Sequence, residues 1–133
     1  GAPLAFIHKT RRTDRPNETV ANRVVGEVAG KICVLTDDMI DTGGTIVKAA
    51  EALMADGAAG VIIAATHAIL SDPAVDRLKN SPAVEVIVTN TLPIAEDRVF
   101  DKLTILSIAP LVARAIREVF EDGSVTSMFD GHA

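Results

Sequence analysis

The chain has little of what several large classes of protein require. Its 133 residues include one cysteine, Cys33, which lies in an apolar run; this excludes an intrachain disulfide and a cysteine-rich metal site and favours a small buried side chain. Tryptophan and tyrosine are absent and the formal net charge is −5, so stacking on bases and neutralisation of a phosphate backbone are both poorly supported. We therefore expect no nucleic-acid partner.

Long hydrophobic runs and zinc-binding spacings are missing as well. No segment approaches the ~18 apolar residues of a membrane span, and the first residues do not form a charged stretch followed by a hydrophobic signal. None of the three histidines is spaced from another ligand as zinc sites require. The expectation is a cytoplasmic protein without a membrane partner.

Apolar runs alternate with helical patterns along the chain. Strands are predicted at about 4–7, 32–36, 61–66, 84–89 and 103–108, and helices near 44–56, 73–79 and 110–121. Unbroken apolar strands are typical of a parallel sheet that is covered on both faces. With 48% hydrophobic residues, the pattern predicts a single α/β domain over residues 1–133, built on a doubly wound, mainly parallel, Rossmann-like sheet.

Two further strands are predicted outside this alternation. Residues 24–28 have a strand-like pattern and are predicted to form a hairpin with residues 31–36 through Ala29 and Gly30. Residues 124–127 carry hydroxyls beside apolar side chains, which predicts a C-terminal strand at a sheet edge.

Residues 34–45 join an apolar strand to a helix start through two carboxylates and a loop of small residues. Asp41–Thr45 offer glycines that allow close backbone approach, threonine hydroxyls, and the unpaired N–H groups of a helix start, all of which suit a phosphate monoester. Asp37 and Asp38 repel a phosphate but suit vicinal hydroxyls, or hydroxyls shared with a divalent metal. A phosphate at the loop and hydroxyls at the carboxylates together describe a ribose 5-phosphate.

Two other interpretations of this segment are weaker. The Walker and dinucleotide-binding glycine patterns are absent from the chain, which excludes those phosphate sites. A plain turn with a helix N-cap would explain Thr42 and the glycines, but it would not explain two consecutive carboxylates after an apolar strand.

The same run resembles the phosphoribosyl diphosphate-binding motif of the type I phosphoribosyltransferase fold. Along essentially its whole length the chain is similar to the C-terminal half of the ribose-phosphate diphosphokinase family. The other segments that carry this resemblance are residues 4–11, 64–67, 86–91, 106–111 and 123–126. The resemblance implies transfer of the diphosphoryl group of ATP to the C1 hydroxyl of ribose 5-phosphate, with Mg2+, to give phosphoribosyl diphosphate and AMP for nucleotide biosynthesis.

The resemblance also implies roles for particular residues. Asp37 and Asp38 would hold the ribose hydroxyls, and no residue is assigned as a direct metal ligand. The residues that it assigns to the 5-phosphate are Asp41, Thr42, Gly43, Gly44 and Thr45.

Residues 8–17 carry four of the thirteen lysines and arginines and almost nothing apolar, so we expect them to form a mobile loop. From the residues alone, an ordinary solvated loop and a set of cations that closes over phosphates are equally good interpretations. The resemblance implies the second, with Lys9 and Arg11 as the catalytic cations. It assigns no role to Arg12 or Arg15, and His8 is either a residue that approaches the substrate or an exposed loop residue.

A complete member of the family also has an N-terminal half, with an adenine-binding aromatic residue, a metal-binding histidine and a diphosphate loop, none of which is found here. We therefore expect this chain to hold the ribose 5-phosphate half-site, with ATP binding and turnover lost or much reduced. The resemblance implies that the parent enzyme is a homo-oligomer, a dimer or hexamer, with phosphate or ADP as regulators. Residues 124–127 resemble the part of the family that helps to form a regulatory phosphate or nucleotide site at a subunit interface.

Two alternatives share the central motif. A phosphoribosyltransferase would be expected to carry a hood over its base and a diphosphate loop, neither of which is evident in the sequence. A non-catalytic synthetase-associated regulatory subunit would be expected to have altered motif or cationic residues, and this chain has neither alteration.

The roles of two polar residues at predicted strand ends are not determined by the sequence. His67 is either a structural imidazole or a donor at the site's edge, and Asn90 has no assigned role.

Overall fold

The computed structural model describes residues 3–9 and 22–129. The strands are β1 (Phe6–Lys9), β2 (Asn22–Val25), β3 (Ile32–Ile40), β4 (Gly60–Ala68), β5 (Ala83–Thr89) and β6 (Leu103–Leu106). The α-helices are α1 (Gly44–Ala55), α2 (Ala74–Lys79) and α3 (Ala109–Phe120), and short 3-10 helices cover Glu96–Arg98 and Val125–Phe129.

Four parallel strands in the order β3-β4-β5-β6 form the main sheet. α1 connects β3 to β4 and α2 connects β4 to β5, as parallel strands require; the β5–β6 connection contains the 3-10 helix Glu96–Arg98, and α3 follows β6. The predicted α/β class is therefore confirmed, and the predicted helices are present to within about one residue at each end.

The core forms where the two inner strands meet the helices. Val61 and Ile63 of β4 and Val86 and Val88 of β5 are fully buried, and the residues between them are mostly half-buried. Since β4 and β5 each have a strand on both sides, the predicted burial on both faces holds best for them.

The outer strands depart from that prediction. Ile32 and Val34 of β3 are 68% and 62% exposed, and Ile105 and Leu106 of β6 are also exposed. The sequence pattern of these strands is as apolar as that of the inner strands, but β3 and β6 are the edges of the described sheet, so part of their surface has no neighbour.

The hairpin predicted between residues 24–28 and 31–36 is wrong. β2 pairs antiparallel with β1 instead, with Val25 opposite Phe6, in a separate two-stranded sheet. The turn at residues 26–31 is held elsewhere, because Gly30 N–H donates to the Gly57 carbonyl at 2.8 Å and Val28 is buried in the core. These contacts fix the turn against the end of α1 rather than closing a hairpin.

The C-terminal strand predicted at residues 124–127 is also wrong. Val125–Phe129 form a 3-10 helix beside α3. The Ser127 backbone N–H and its hydroxyl both donate to the Ser124 carbonyl, at 3.1 and 2.6 Å. Serine hydroxyls that bond the nearby backbone in this way favour a turn over a strand.

α3 is amphipathic. The structure describes all of this helix, and none of its residues is buried. Its exposed large apolar side chains are Leu111, Val112, Ile116, Val119 and Phe120. Among the described helices, none combines the length and the hydropathy that a membrane crossing needs.

Candidate functional site

The site predicted from the sequence lies where β3 passes into α1. β3 continues to Ile40, four residues beyond its predicted end, so Asp37 and Asp38 lie within the strand rather than after it. Asp37 is paired in register with Ala65 of β4. The polar residues could extend the strand because they lie at its exposed end on a sheet edge, where carboxylates stay hydrated.

Each of the two carboxylates accepts a hydrogen bond from the backbone of the following residue. Asp38 N–H donates to Asp37 Oδ1 at 2.9 Å, and Met39 N–H donates to Asp38 Oδ1 at 2.8 Å. These bonds orient both side chains, and in each carboxylate one oxygen, Oδ1, is the acceptor. Both residues are exposed, so the other carboxylate oxygens can accept hydrogen bonds from a ligand's hydroxyls.

The loop that follows depends on a glycine in the left-handed conformation. Gly43 has φ +72°, which a residue with a Cβ adopts only at a cost. It is buried against α2, and a Cβ placed on it would lie 3.6 Å from Ala74 Cα and 3.7 Å from Leu78 Cγ. The loop thus packs against the buried side of α2.

α1 begins directly after this glycine without a side-chain cap. Val47 N–H donates to the Gly43 carbonyl at 3.1 Å, which is the first bond of the helix. The N–H groups of Gly44, Thr45 and Ile46 precede that bond, no side chain caps the helix, and its first turn contains no acidic residue. Such a helix start presents N–H donors and a positive dipole end to an anion.

Residues 37–46 line one open cavity of about 310 Å3. The structure therefore brings all seven predicted substrate-binding residues, Asp37, Asp38, Asp41, Thr42, Gly43, Gly44 and Thr45, to a single site. The volume is at the small end of the range for small-molecule pockets. The lining contains three carboxylates and no lysine or arginine. A phosphorylated ligand would therefore gain from an added cation.

Arg77, a residue that the sequence reasoning missed, brings a cation to this loop from α2. Its Nη1 donates to the Thr42 carbonyl at 3.0 Å, and a Cβ added to Gly44 would lie 3.1 Å from the same nitrogen. Thirty-five positions separate Arg77 from Thr42, and Arg77 lies in a six-residue helix with no motif around it. No local signal in the sequence could have identified it.

A second arginine, Arg98, forms hydrogen bonds with the segment between β4 and α2. Arg98 donates to the Leu70 carbonyl at 3.1 Å and to the Asp72 carboxylate. The hydrogen bond that Arg98 donates to Asp72 and the negative charge of this carboxylate raise the pKa of Arg98 above its ordinary value. Arg98 therefore ties the end of β4 to the later 3-10 helix and restrains the position of α2.

The ends of β4 and β5 carry a separate hydrogen-bonded cluster. Thr89 Oγ1 and Thr91 Oγ1 both donate to the Thr66 carbonyl, at 2.7 and 3.1 Å, and His67 Nδ1 lies 2.9 Å from Thr91 Oγ1. The His67 ring nitrogen is therefore within hydrogen-bonding distance of a threonine hydroxyl that also contacts the Thr66 carbonyl. This bond favours the structural interpretation of His67.

Asn90 connects β5 to the start of α3. Its Oδ1 accepts the Ile108 N–H at 3.0 Å, one residue before the helix begins. Ser107 Oγ accepts the Ala109 N–H at 3.2 Å beside it. Asn90 therefore has a role in orienting the helix start, which the sequence reasoning left open.

The predicted catalytic residues fall at the border of the described part of the chain. Lys9 is the last residue of β1, and Arg11 lies outside the described residues. Their role as catalytic cations stays a prediction.

A divalent metal fits this site only in a shared arrangement. Within residues 3–9 and 22–129, no group of three histidine, cysteine, aspartate or glutamate side chains could hold a metal ion by itself. Asp37 and Asp38 are adjacent and exposed, and Mg2+ commonly takes one or two carboxylates together with ligand oxygens and water. The residues present suit Mg2+ that arrives with a substrate.

A parallel α/β sheet whose edge strand passes through a glycine loop into an uncapped helix defines a domain of the type I phosphoribosyltransferase fold. A family described as the phosphoribosyl synthetase-associated domain matches residues 7–130, nearly the whole chain. The chain belongs to this family.

Individual relatives agree with the family match. The chain is 67% identical over 133 residues to a ribose-phosphate pyrophosphokinase of Mycobacterium tuberculosis (strain CDC 1551 / Oshkosh), covering all of this chain and 41% of the relative. It is 63% identical over 130 residues to a protein of the same name from Streptomyces coelicolor, covering 98% of this chain and 40% of the relative. The chain thus spans about two fifths of the length of these curated relatives.

A solved structure shows the same fold at high identity. The crystal structure of phosphoribosylpyrophosphate synthetase from Mycobacterium smegmatis superposes with a TM-score of 0.80 and 64% identity. The superposition covers 92% of this chain and 38% of that one.

Proposed function

We propose that this chain carries the ribose 5-phosphate half-site of a ribose-phosphate diphosphokinase. The observation that supports this most directly is the uncapped start of α1 beside two oriented carboxylates in one cavity. The names of the relatives agree with the proposal.

The two ends of a ribose 5-phosphate would meet different chemistry in this cavity. The 5-phosphate would accept hydrogen bonds from the N–H groups of Gly44 and Thr45 and from the loop hydroxyls, with the dipole of α1 favouring its charge. The 2- and 3-hydroxyls would donate to the carboxylate oxygens of Asp37 and Asp38 that the backbone leaves free. The sugar would then be fixed in both position and orientation.

Mg2+ would be shared between these carboxylates and the substrate. When bound, it supplies positive charge that offsets the three carboxylates of the cavity and the phosphates of the substrate. The chain's own contribution is to hold the sugar so that its C1 hydroxyl is presented to the second substrate.

The proposed reaction is attack of the C1 hydroxyl oxygen on the β-phosphorus of ATP. The new bond from the C1 oxygen to the β-phosphorus forms as the bond between the β-phosphorus and the oxygen that bridges it to the α-phosphorus breaks. AMP leaves with that oxygen, and the hydroxyl proton passes to solvent. Lys9 and Arg11 are proposed to stabilise charge on the transferring group, since phosphoryl transfer depends chiefly on positioning and electrostatics. We further propose that the chain corresponds to the C-terminal half of the enzyme and that ATP binding needs the other half.

Calorimetric titration of the chain with ribose 5-phosphate and then with ATP, each with Mg2+, tests this proposal. We expect the sugar phosphate to bind and ATP not to bind. Asp38→Asn should weaken sugar binding at least about tenfold, because it replaces an acceptor-only charged group by an amide of the same size.

Asp101→Asn is the matched control, since Asp101 is an exposed carboxylate in the turn before β6, at the opposite edge of the parallel sheet. It removes the same charge without touching the cavity and should leave binding unchanged. Absence of ribose 5-phosphate binding by the unaltered chain, or equal losses in both variants, would contradict the proposed half-site.

A further inference from the structure

Arg77 joins α2 to the proposed phosphate loop through a single, well-placed hydrogen bond. Its Nη1 lies 3.0 Å from the Thr42 carbonyl oxygen, and the same nitrogen is close enough to Gly44 to leave little room for a side chain there. The neighbouring Ala74 and Leu78 are fully buried, so the backbone that carries Arg77 is fixed in the core.

This hydrogen bond sets the direction of a peptide group in the loop. In a trans peptide the carbonyl of one residue and the N–H of the next point in opposite directions. With the Thr42 carbonyl held toward the Arg77 guanidinium, the Gly43 N–H points away from that guanidinium. If this peptide turned over, it would present a carbonyl oxygen where the N–H now stands, and a carbonyl oxygen repels a phosphate.

Arg77 also supplies a positive charge at a cavity whose lining has three carboxylates and no cation. Its guanidinium is exposed and stays charged at any physiological pH. Both effects favour an anion at the start of α1.

We propose that Arg77 is a positioning residue for phosphate binding: it holds the Thr42–Gly43 peptide in the orientation that accepts the anion. This inference rests on the proposed function, because it concerns the same site. It adds a residue from a different helix, 35 positions away along the chain, to a site otherwise formed by consecutive residues.

The test is the affinity of the chain for ribose 5-phosphate, and for inorganic phosphate as the simpler probe, in three variants. Arg77→Met keeps most of the side-chain length but removes the donor and the charge, and should weaken binding of both probes about three- to tenfold, the range for one exposed hydrogen bond. Arg77→Lys keeps a charged donor and should recover most of the affinity. Lys79→Met removes a cation from the last position of the same helix, where the side chain is exposed, and should have no effect.

The urea midpoint of each variant distinguishes positioning from general stability. Because Arg77 is exposed, we expect Arg77→Met to leave the midpoint within the range of Lys79→Met while its phosphate affinity falls. Equal affinities of Arg77→Met and the unaltered chain, or equal losses in Arg77→Met and Lys79→Met, would overturn the role of Arg77.

These outcomes are separate from failure of the proposed function. If the unaltered chain binds ribose 5-phosphate and Asp38→Asn does not, the half-site stands whatever Arg77→Met shows. If the unaltered chain binds neither probe, the half-site is wrong and the role of Arg77 is wrong with it.

Discussion

Replacing Gly43 by alanine should strain the backbone of the proposed phosphate loop. Gly43 has φ +72°, and an L-residue in this conformation costs roughly 1–2 kcal/mol. A Cβ at this position would meet its nearest atoms at 3.6–3.7 Å, which is ordinary van der Waals contact, so the strain comes from the backbone and not from a clash. The substitution therefore isolates the conformational requirement of the loop.

Gly30→Ala is the matched control. Gly30 has φ +69°, and nothing lies within 4 Å of the Cβ that alanine would add. It lies in the turn before β3, outside the cavity formed by residues 37–46. Both substitutions should therefore introduce about the same backbone strain, of roughly 1–2 kcal/mol, but only one of them does so at the proposed site.

The strain at position 43 must appear in one of two measurements. If alanine keeps the left-handed conformation, the free energy of unfolding falls by the full strain and the affinity for ribose 5-phosphate is unchanged. If the free loop relaxes, stability is partly regained, but binding must restore the strained conformation and is weakened by the same amount. The two losses should therefore add up to about 1–2 kcal/mol for Gly43→Ala.

Urea denaturation of both variants measures the loss in the free energy of unfolding, and calorimetric titration measures the loss in the free energy of ribose 5-phosphate binding. For Gly30→Ala, the whole loss should appear in the free energy of unfolding and none in the affinity. The reasoning would be refuted if the two losses of Gly43→Ala together came to less than about 0.5 kcal/mol while Gly30→Ala lost about 1 kcal/mol or more. The complex would then not need the left-handed conformation at Gly43.

Two further substitutions test the structure around α3. Asn90→Ala removes the 3.0 Å hydrogen bond to the Ile108 N–H and should cost about 1 kcal/mol, seen as faster amide hydrogen exchange in the first turn of α3; unchanged exchange would mean that the bond does not hold the helix start. Phe120→Ser alters a side chain that is 87% exposed and should change the free energy of unfolding of this chain by less than about 0.5 kcal/mol; a loss above 1 kcal/mol in urea denaturation would show that Phe120 is covered.

The parts of the fold that the sequence predicts well are those determined by neighbouring residues. α1 begins at Gly44 and ends before Asp56 and Gly57 because a glycine loop and a helix stop stand at its two ends in the sequence. The parallel sheet follows from apolar runs that alternate with helices.

The errors lie where pairing or exposure depends on distant parts of the chain. β2 has the pattern of a strand, but nothing in residues 24–28 specifies β1 as its partner in place of β3. Asp37 and Asp38 break the apolar pattern, yet β3 includes them, since an exposed strand end accepts polar side chains. Likewise, the sequence predicts a helix near 110–121 but does not specify which surface the apolar side of α3 contacts.

The candidate site likewise contains residues that can be predicted from their neighbours in the sequence and one residue, Arg77, that cannot. Its carboxylates, glycine loop and helix start are consecutive in the chain, and each of these residue types has a chemical preference of its own. The proposal of a phosphate site next to a hydroxyl site could therefore be made from residues 37–45 without tertiary information; the structure adds that these residues line one cavity. Arg77 differs because its contact with Thr42 exists only once α2 packs through Ala74 and Leu78 beneath Gly43. The core therefore determines which cation reaches the loop, and a substitution that moved α2 would alter the site without changing any residue that lines it.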